Sequence, residues 1–155
     1  MNPTNIYPSY NDIHNECILY ANSILEQGIQ FDCVVGLARG GIFPSSIVAR
    51  VLNIPLQIIA FSSSIGLGDN KLNTEISDNV FIYDSKILII DDIADTGSTL
   101  HEMCNHYESL GNEVTTYAVY YKLLQTPLHV PNYSIGLSED AGWVCFPFEN
   151  TELML

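Results

Sequence analysis

Cations are scarce in this chain. Arg39, Arg50, Lys71, Lys86 and Lys122 are its only Lys and Arg residues, against 18 Asp and Glu in 155 residues, for a formal net charge of −13. Affinity for a phosphate backbone or an anionic membrane comes from clustered Lys and Arg, so neither nucleic acid nor a membrane surface is expected as a partner. An anionic small molecule would have to be held by local features instead: backbone N–H groups, a metal ion, or a few well-placed cations. Long apolar runs are missing as well. No stretch approaches the roughly 18 uninterrupted apolar residues of a membrane span, and MNPTNIYPSYND has neither the basic start nor the apolar core of a signal peptide. The expectation is a soluble, cytoplasmic protein. Paired cysteines are also absent: Cys17, Cys33, Cys104 and Cys145 lack the spacing of a zinc site or a redox motif and read as reduced, mostly buried thiols.

What is present is a well-patterned α/β chain. With 47% hydrophobic residues it is long enough to bury about two thirds of its unfolded surface, which predicts one domain over 1–155. Ile13, Cys17, Tyr20, Ile24 and Leu25 recur at helical spacing between a cap at Asp12 and a stop at Gly28. FDCVVGL (31–37) reads as a strand that ends at ARGG, and IFPSSIVARVLN (42–53) as a helix with Pro44 in its first turn. LQIIAF (56–61) is a second strand. The polar segment 62–79 has neither period and predicts a mobile loop. VFIY (80–83) suits a short strand, KILIIDD (86–92) a central one, TGSTLHEMCNHYESLG (96–111) a helix and VTTYAVYYK (114–122) a further strand. Alternating strands and helices predict a doubly wound, mostly parallel sheet, with ligands at the carboxyl ends of the strands. ARGG, DDIADTGST and Lys122 then share one rim. The core is expected over about 11–122. From about 123 to 155 the sequence is rich in Pro and aromatics without helical period, and predicts a small irregular hood folded over that rim.

The segment ILIIDDIADTGSTL (87–100) carries the chemistry. Thr96, Gly97, Ser98 and Thr99 make a strand-to-helix turn whose free N–H groups, helix dipole and hydroxyls suit a phosphate dianion. Asp91 and Asp92, at the strand end just before it, suit sugar hydroxyls or the waters of a hard metal ion such as Mg²⁺. A phosphorylated sugar satisfies both halves. The competing structural reading has the acids capping the helix and the hydroxyls forming a solvated turn, which leaves the repulsion among three carboxylates uncompensated. A Walker B strand also ends in paired acids, yet no GxxxxGK[ST] loop lies upstream. A phosphoacceptor receiver domain would carry the pair on its first strand, and here about half the chain precedes it.

ILIIDDIADTGSTL resembles the signature of the type I phosphoribosyltransferases, which bind 5-phosphoribosyl 1-diphosphate (PRPP). The resemblance implies that Asp91 and Asp92 hold the ribose 2′ and 3′ hydroxyls and help place Mg²⁺, and that the turn Ala94, Asp95, Thr96, Gly97, Ser98 and Thr99 cradles the 5′-phosphate. VVGLARGGIFPSSIVARVLNIP resembles the family's diphosphate loop and helix, which puts Arg39 and Gly40 on the leaving group. The competing reading of Arg39 is a surface ion pair, and Arg50, inside the helix, reads as structural.

For the acceptor, YYK followed about twenty residues later by GWVCFPFE resembles the bacterial xanthine-guanine phosphoribosyltransferases. The resemblance implies that Lys122 donates to the purine O6, that Trp143 stacks on the base, that Val144 reads the ring edge through its backbone and that Glu149 serves the metal or diphosphate region. Trp143 as plain core and Lys122 as a surface lysine are the competing readings. The chain departs from the family pattern in three places: Ser63 and Ser64 are followed by Ile65 where a Ser-Tyr pair is usual in the mobile loop, Leu123 replaces a proline, and Glu149 replaces Asp.

The implied activity is Mg²⁺-dependent transfer of phosphoribosyl from PRPP to N9 of a 6-oxopurine, with Asp95 facing the purine near N7 as general base or hydrogen-bond partner. Asp95 as a turn residue that only orders the phosphate loop is its alternative. Two other functions remain open: a PRPP-binding regulatory protein without useful turnover, and transfer to a pyrimidine or other acceptor. Relatives are usually dimers or tetramers, so a homo-oligomer is expected.

Overall fold

The computed structural model describes residues 2–64, 73–76 and 81–153. Helix α1 (Tyr10–Glu26) opens the domain. Its cap is Ser9 rather than Asp12: the Ser9 hydroxyl accepts the Asp12 N–H, and the Asp12 carboxylate accepts the Ser9 N–H at 2.7 Å, a reciprocal capping box that moves the start of the helix back by one turn. Leu25, expected on the buried stripe, is exposed, while Ile13, Cys17, Tyr20 and Ile24 are buried. Then come β1 (Cys33–Ala38), α2 (Ile42–Leu52) and β2 (Leu56–Ser64).

Part of the expected loop is strand. β3 (Asn73–Ile76) pairs antiparallel with the end of β2, from Phe61 opposite Ile76 to Ser64 opposite Asn73. The sequence pattern hid this because a polar edge strand shows no apolar alternation. Residues 65–72 and 77–80 of the expected mobile loop, Ile65 among them, lie outside the described residues. Residues 81–83 form no strand. The chain continues with β4 (Lys86–Ala94), α3 (Ser98–Ser109) and β5 (Glu113–Lys122). The tail corrects the expectation of a wholly irregular hood, because Tyr133–Leu137 forms β6 and extends the sheet beside β5.

The sheet order is β3-β2-β1-β4-β5-β6, with every neighbouring pair parallel except β2 and β3. Strand alternation divides the core into two layers. Leu88 and Ile90 of β4 pack with Ile13, Ile24 and Val48 of α1 and α2, whereas Ile87 and Ile89 pack with Leu100, Met103 and Tyr107 of α3. The sheet is thus covered on both faces, as the doubly wound reading predicts. β1 and β4 lie side by side at its centre, and the chain leaves them toward opposite edges. The loops after them part there and open a crevice at the carboxyl ends. Among the described residues no helix is long and apolar enough to cross a membrane.

Candidate active site

The loops that flank the crevice are Arg39–Gly41 after β1 and Asp95–Gly97 after β4. The Ala38–Arg39 peptide bond is cis. Gly40 lies against the Asp92 carboxylate so closely that a Cβ there would strike Asp92 Oδ2; no other residue lets this loop reach the strand end. Arg39 is exposed and forms no ion pair among the described residues, though its charge acts on Glu149. Arg50 sits in the last turn of α2, exposed, where a cation suits the helix dipole.

Asp91 and Asp92 are successive residues at the end of β4 whose carboxyls interact with each other, yet they border different cavities. Asp91 borders a cavity of about 160 Å³ formed with residues 93–100. Asp92 borders another of about 890 Å³, shared with Arg39, Gly40, Phe43, Phe148 and Glu149. Neither carboxylate caps α3. Asp91 Oδ1 accepts the Asp92 N–H at 2.9 Å, and Asp92 Oδ1 accepts the Ile93 N–H at 2.8 Å. Burial pushes the Asp91 carboxyl well above the usual range, and repulsion from Asp92 adds to it. Burial raises Asp92 too. Glu149, on a single 3₁₀ turn (Pro147–Glu149), is raised by desolvation and by the Asp92 charge, with Arg39 pulling it back. Two acids, Asp92 and Glu149, and one arginine therefore face one space, with Asp91 on the other.

α3 begins at Gly97, in the left-handed region at φ 82°, with no side-chain cap from that residue and no acid in the first turn. Thr96 Oγ1 accepts the Ser98 N–H at a long 3.3 Å. The first amides of a twelve-residue helix thus open on the smaller cavity together with Thr96, Ser98 and Thr99, which suits an anion. Ala94 is buried beneath the turn. Asp95 stands exposed above it, with Oδ1 4.0 Å from Lys122 Nζ. Lys122 is mostly shielded at the end of β5, its side chain 23% exposed, so it is not a free surface lysine.

Trp143 is 62% exposed, which excludes the core reading. It borders a further cavity of about 810 Å³ with Tyr7, Tyr10, Phe146, Pro147 and Glu149. Glu149 joins this space to the one beside Asp92. Lys122 borders neither; its contact is with Asp95. Val144 is buried and bridges Ile6 in parallel. The Ile6 N–H donates to Trp143 O at 2.9 Å and the Cys145 N–H to Ile6 O at 2.8 Å, which leaves Val144's own N–H and C=O turned to the opposite edge. The Trp143 N–H donates to Asn5 Oδ1 at 3.0 Å. Sequence reasoning missed this N-terminal strap. Its signal is faint: one apolar residue, Ile6, between Pro3 and Pro8, both of which favour extended chain.

Among the described residues no group of three His, Cys, Asp or Glu is placed to hold a metal ion alone. The donors present are hard oxygens that repel one another. They fit Mg²⁺, which is ordinarily held by one or two carboxylates with the remaining ligands from water and substrate phosphates.

Residues 9–150 match the family described as "Phosphoribosyl transferase domain". The chain is 32% identical over 125 residues to xanthine phosphoribosyltransferase 1 of Saccharomyces cerevisiae, a match covering 66% of this chain and 60% of the yeast protein. It is 28% identical over 152 residues to a xanthine-guanine phosphoribosyltransferase of Roseobacter denitrificans, covering 91% of this chain and 83% of that one. A purine phosphoribosyltransferase from Pyrococcus horikoshii superposes with a TM-score of 0.79 at 23% identity, over 100% of this chain and 99% of the other; this likeness concerns the fold.

Proposed function

The chain belongs to the type I phosphoribosyltransferase family, and from that membership we propose that it transfers the phosphoribosyl group of PRPP to N9 of a 6-oxopurine, releasing diphosphate. One observation carries the reading. Two adjacent carboxylates open on two different cavities, one headed by the amides of α3 and the other by Arg39. A ligand with a phosphate at one end, a diphosphate at the other and vicinal hydroxyls between them matches that arrangement.

In this reading the turn at Thr96–Thr99 holds the 5′-phosphate, Asp91 and Asp92 take the ribose hydroxyls, and Arg39 with the Gly40 backbone meets the diphosphate. Asp91, Asp92 and Glu149 are the residues that would hold Mg²⁺, whose charge would offset that of the departing diphosphate. Bond breaking at C1 of the ribose develops cationic character, as in glycoside cleavage, so positioning and charge supply most of the rate. Asp95 and Lys122 support a 6-oxopurine. Its O6 and N7 lie on one ring edge; an N7–H tautomer gives its proton to the Asp95 carboxylate, accepts from Lys122 at O6 and frees the N9 lone pair for attack. The N7 proton then passes to Asp95 as the N9–C1 bond forms and the C1–diphosphate bond breaks. Trp143 supplies a stacking face and Val144 a backbone edge. The unit spans 1–155, with the core over about 11–122 and the hood over about 123–155.

The test is direct. The protein is incubated with PRPP, Mg²⁺ and single nucleobases, and the nucleotide products are separated. Guanine, xanthine or hypoxanthine should each be tried, and at least one should yield the 5′-monophosphate with stoichiometric diphosphate. Product from a pyrimidine alone would transfer the reading to that acceptor, and PRPP binding without turnover on any base would indicate a regulatory PRPP binder.

A further inference from the structure

The phosphate turn does not hold its shape by itself. The Leu128 N–H donates to Thr96 O at 2.9 Å. A trans peptide sets its C=O and N–H in opposite directions, so this bond also turns the Gly97 N–H away from the β5–β6 connection. Gly97 is pressed against the same connection: a Cβ there would strike the His129 carbonyl oxygen and lie 2.6 Å from the His129 nitrogen. The turn is packed backbone to backbone on Leu128–His129, and that segment is otherwise irregular and partly exposed.

Its anchor is one hydroxyl. Thr116 of β5 is fully buried. Asn132 Oδ1 accepts the Thr116 N–H at 2.8 Å and lies 3.1 Å from Thr116 Oγ1. A carbonyl oxygen cannot donate, so the hydroxyl proton goes to it. Thr116 Oγ1 then accepts the Asn132 N–H at 3.2 Å, and His129 Nε2, at 3.0 Å, must carry the hydrogen of the third bond. Every bonding site of the hydroxyl is used, and residues 129 and 132, in the last part of the connection before β6, are tied to the same buried atom.

We propose that Thr116, Asn132 and His129 are positioning residues for substrate: they brace Leu128–His129 against Thr96–Gly97 and so aim the first amides of α3 at the 5′-phosphate. The proposal rests on the phosphate reading given above. None of the three residues touches substrate in this scheme; each acts through the turn.

The experiment compares Thr116→Val, which keeps the shape and removes the hydroxyl, with Thr116→Ser, which keeps the hydroxyl. Ribose 5-phosphate affinity is measured by calorimetry, and KM is measured for PRPP and for the nucleobase. Thr116→Val should weaken ribose 5-phosphate and raise the KM of PRPP by about tenfold, the scale of one or two lost hydrogen bonds, and leave the nucleobase KM unchanged. Thr116→Ser should restore both values to near wild type. His129→Ala, at a half-buried position, gives the same reading should Thr116→Val fail to fold. Unchanged ribose 5-phosphate affinity in the folded variants, or equal effects on both substrates, overturns the brace alone. A wild-type protein that binds no ribose 5-phosphate overturns the phosphate reading, and the brace with it.

Discussion

In the proposed reading the crevice has a phosphate half and a base half, and they are built by opposite means. In the first, the end of β4 and the two short loops at the ends of neighbouring strands supply nearly every group, with Glu149 added from the hood. Backbone there approaches side chain or backbone with no room for a Cβ, at Gly40 against Asp92 and at Gly97 against His129. In the second, Lys122 comes from the end of β5, Trp143 and Val144 from a segment some twenty residues on, and the strap that holds them from residues 4–6. Phosphates can be bound by amides and fixed charges that one turn of chain provides. A flat ring needs facing surfaces and a polar edge, which takes several segments. The contrast also has an energetic side: the phosphate half concentrates like charge, whereas the base half exposes aromatic surface.

The comparison breaks most sharply at the acid pair. Asp91→Asn with Asp92→Asn should weaken PRPP binding by a hundredfold or more, since each charged contact is worth about 1.5–3 kcal/mol, with nucleobase binding little altered. The same change should stabilise the free protein. Burial raises both carboxyls above their unfolded values, so the folded state binds more protons than the unfolded one. The stability this supplies is complete below the unfolded carboxylate pKa and is lost as pH rises toward the folded values. At neutral pH the Asn variant escapes that loss, and a melting-temperature gain of about 2–4 °C per kcal/mol recovered is expected by calorimetry. A double variant that keeps PRPP affinity, or melts lower, would contradict the assignment.

Trp143→Leu tests the base half. Loss of stacking should weaken purine binding about ten- to a hundredfold, by analogy with base stacking on aromatics worth about 1–3 kcal/mol, and leave PRPP affinity unchanged. Because Trp143 is the only tryptophan, its emission in the wild type should respond to a nucleoside monophosphate and not to ribose 5-phosphate. An effect of Ile6→Pro should be smaller. It removes the N–H that holds Trp143 O, and the KM for the nucleobase should rise about three- to tenfold, the range of a single hydrogen bond, with the PRPP KM unmoved. Equal shifts in both constants would mean the strap supports the whole fold rather than the base half.

These differences explain what could be read in advance. β4 and its turn were legible because the apolar run 87–90, the acids and the hydroxyl cluster are consecutive, so local pattern and tertiary placement coincide. The central strands and three helices followed from periodicity, with the α1 start displaced because Ser9 and Asp12 cap each other. β3 and β6 were not legible: Asn73–Ile76 is polar, and Tyr133–Leu137 alternates half-buried with exposed residues in a proline-rich region. Lys122 and Trp143 were singled out by the resemblance, but their neighbours in the fold were not. Nothing in the sequence links Lys122 to Asp95, or Ile6 to Val144. Thr116, His129 and Asn132 were missed for the same reason, since a buried hydroxyl network has no spacing rule.

The bridge between Ile6 and Val144 joins positions near the two ends of the chain, and the nearby Asn5 to Trp143 bond spans 138 residues. Contacts of such separation repay their loop-closure entropy only after the intervening chain is organised, so the base-facing surface is expected to assemble last in folding. The strap is short and mostly exposed and rests on a few hydrogen bonds, which places it at the low end of local stability, free to detach while the sheet and the phosphate turn remain intact. In the proposed reading this builds an order of loss into the connectivity: mild destabilisation is expected to remove the base half first and leave the phosphate turn in place.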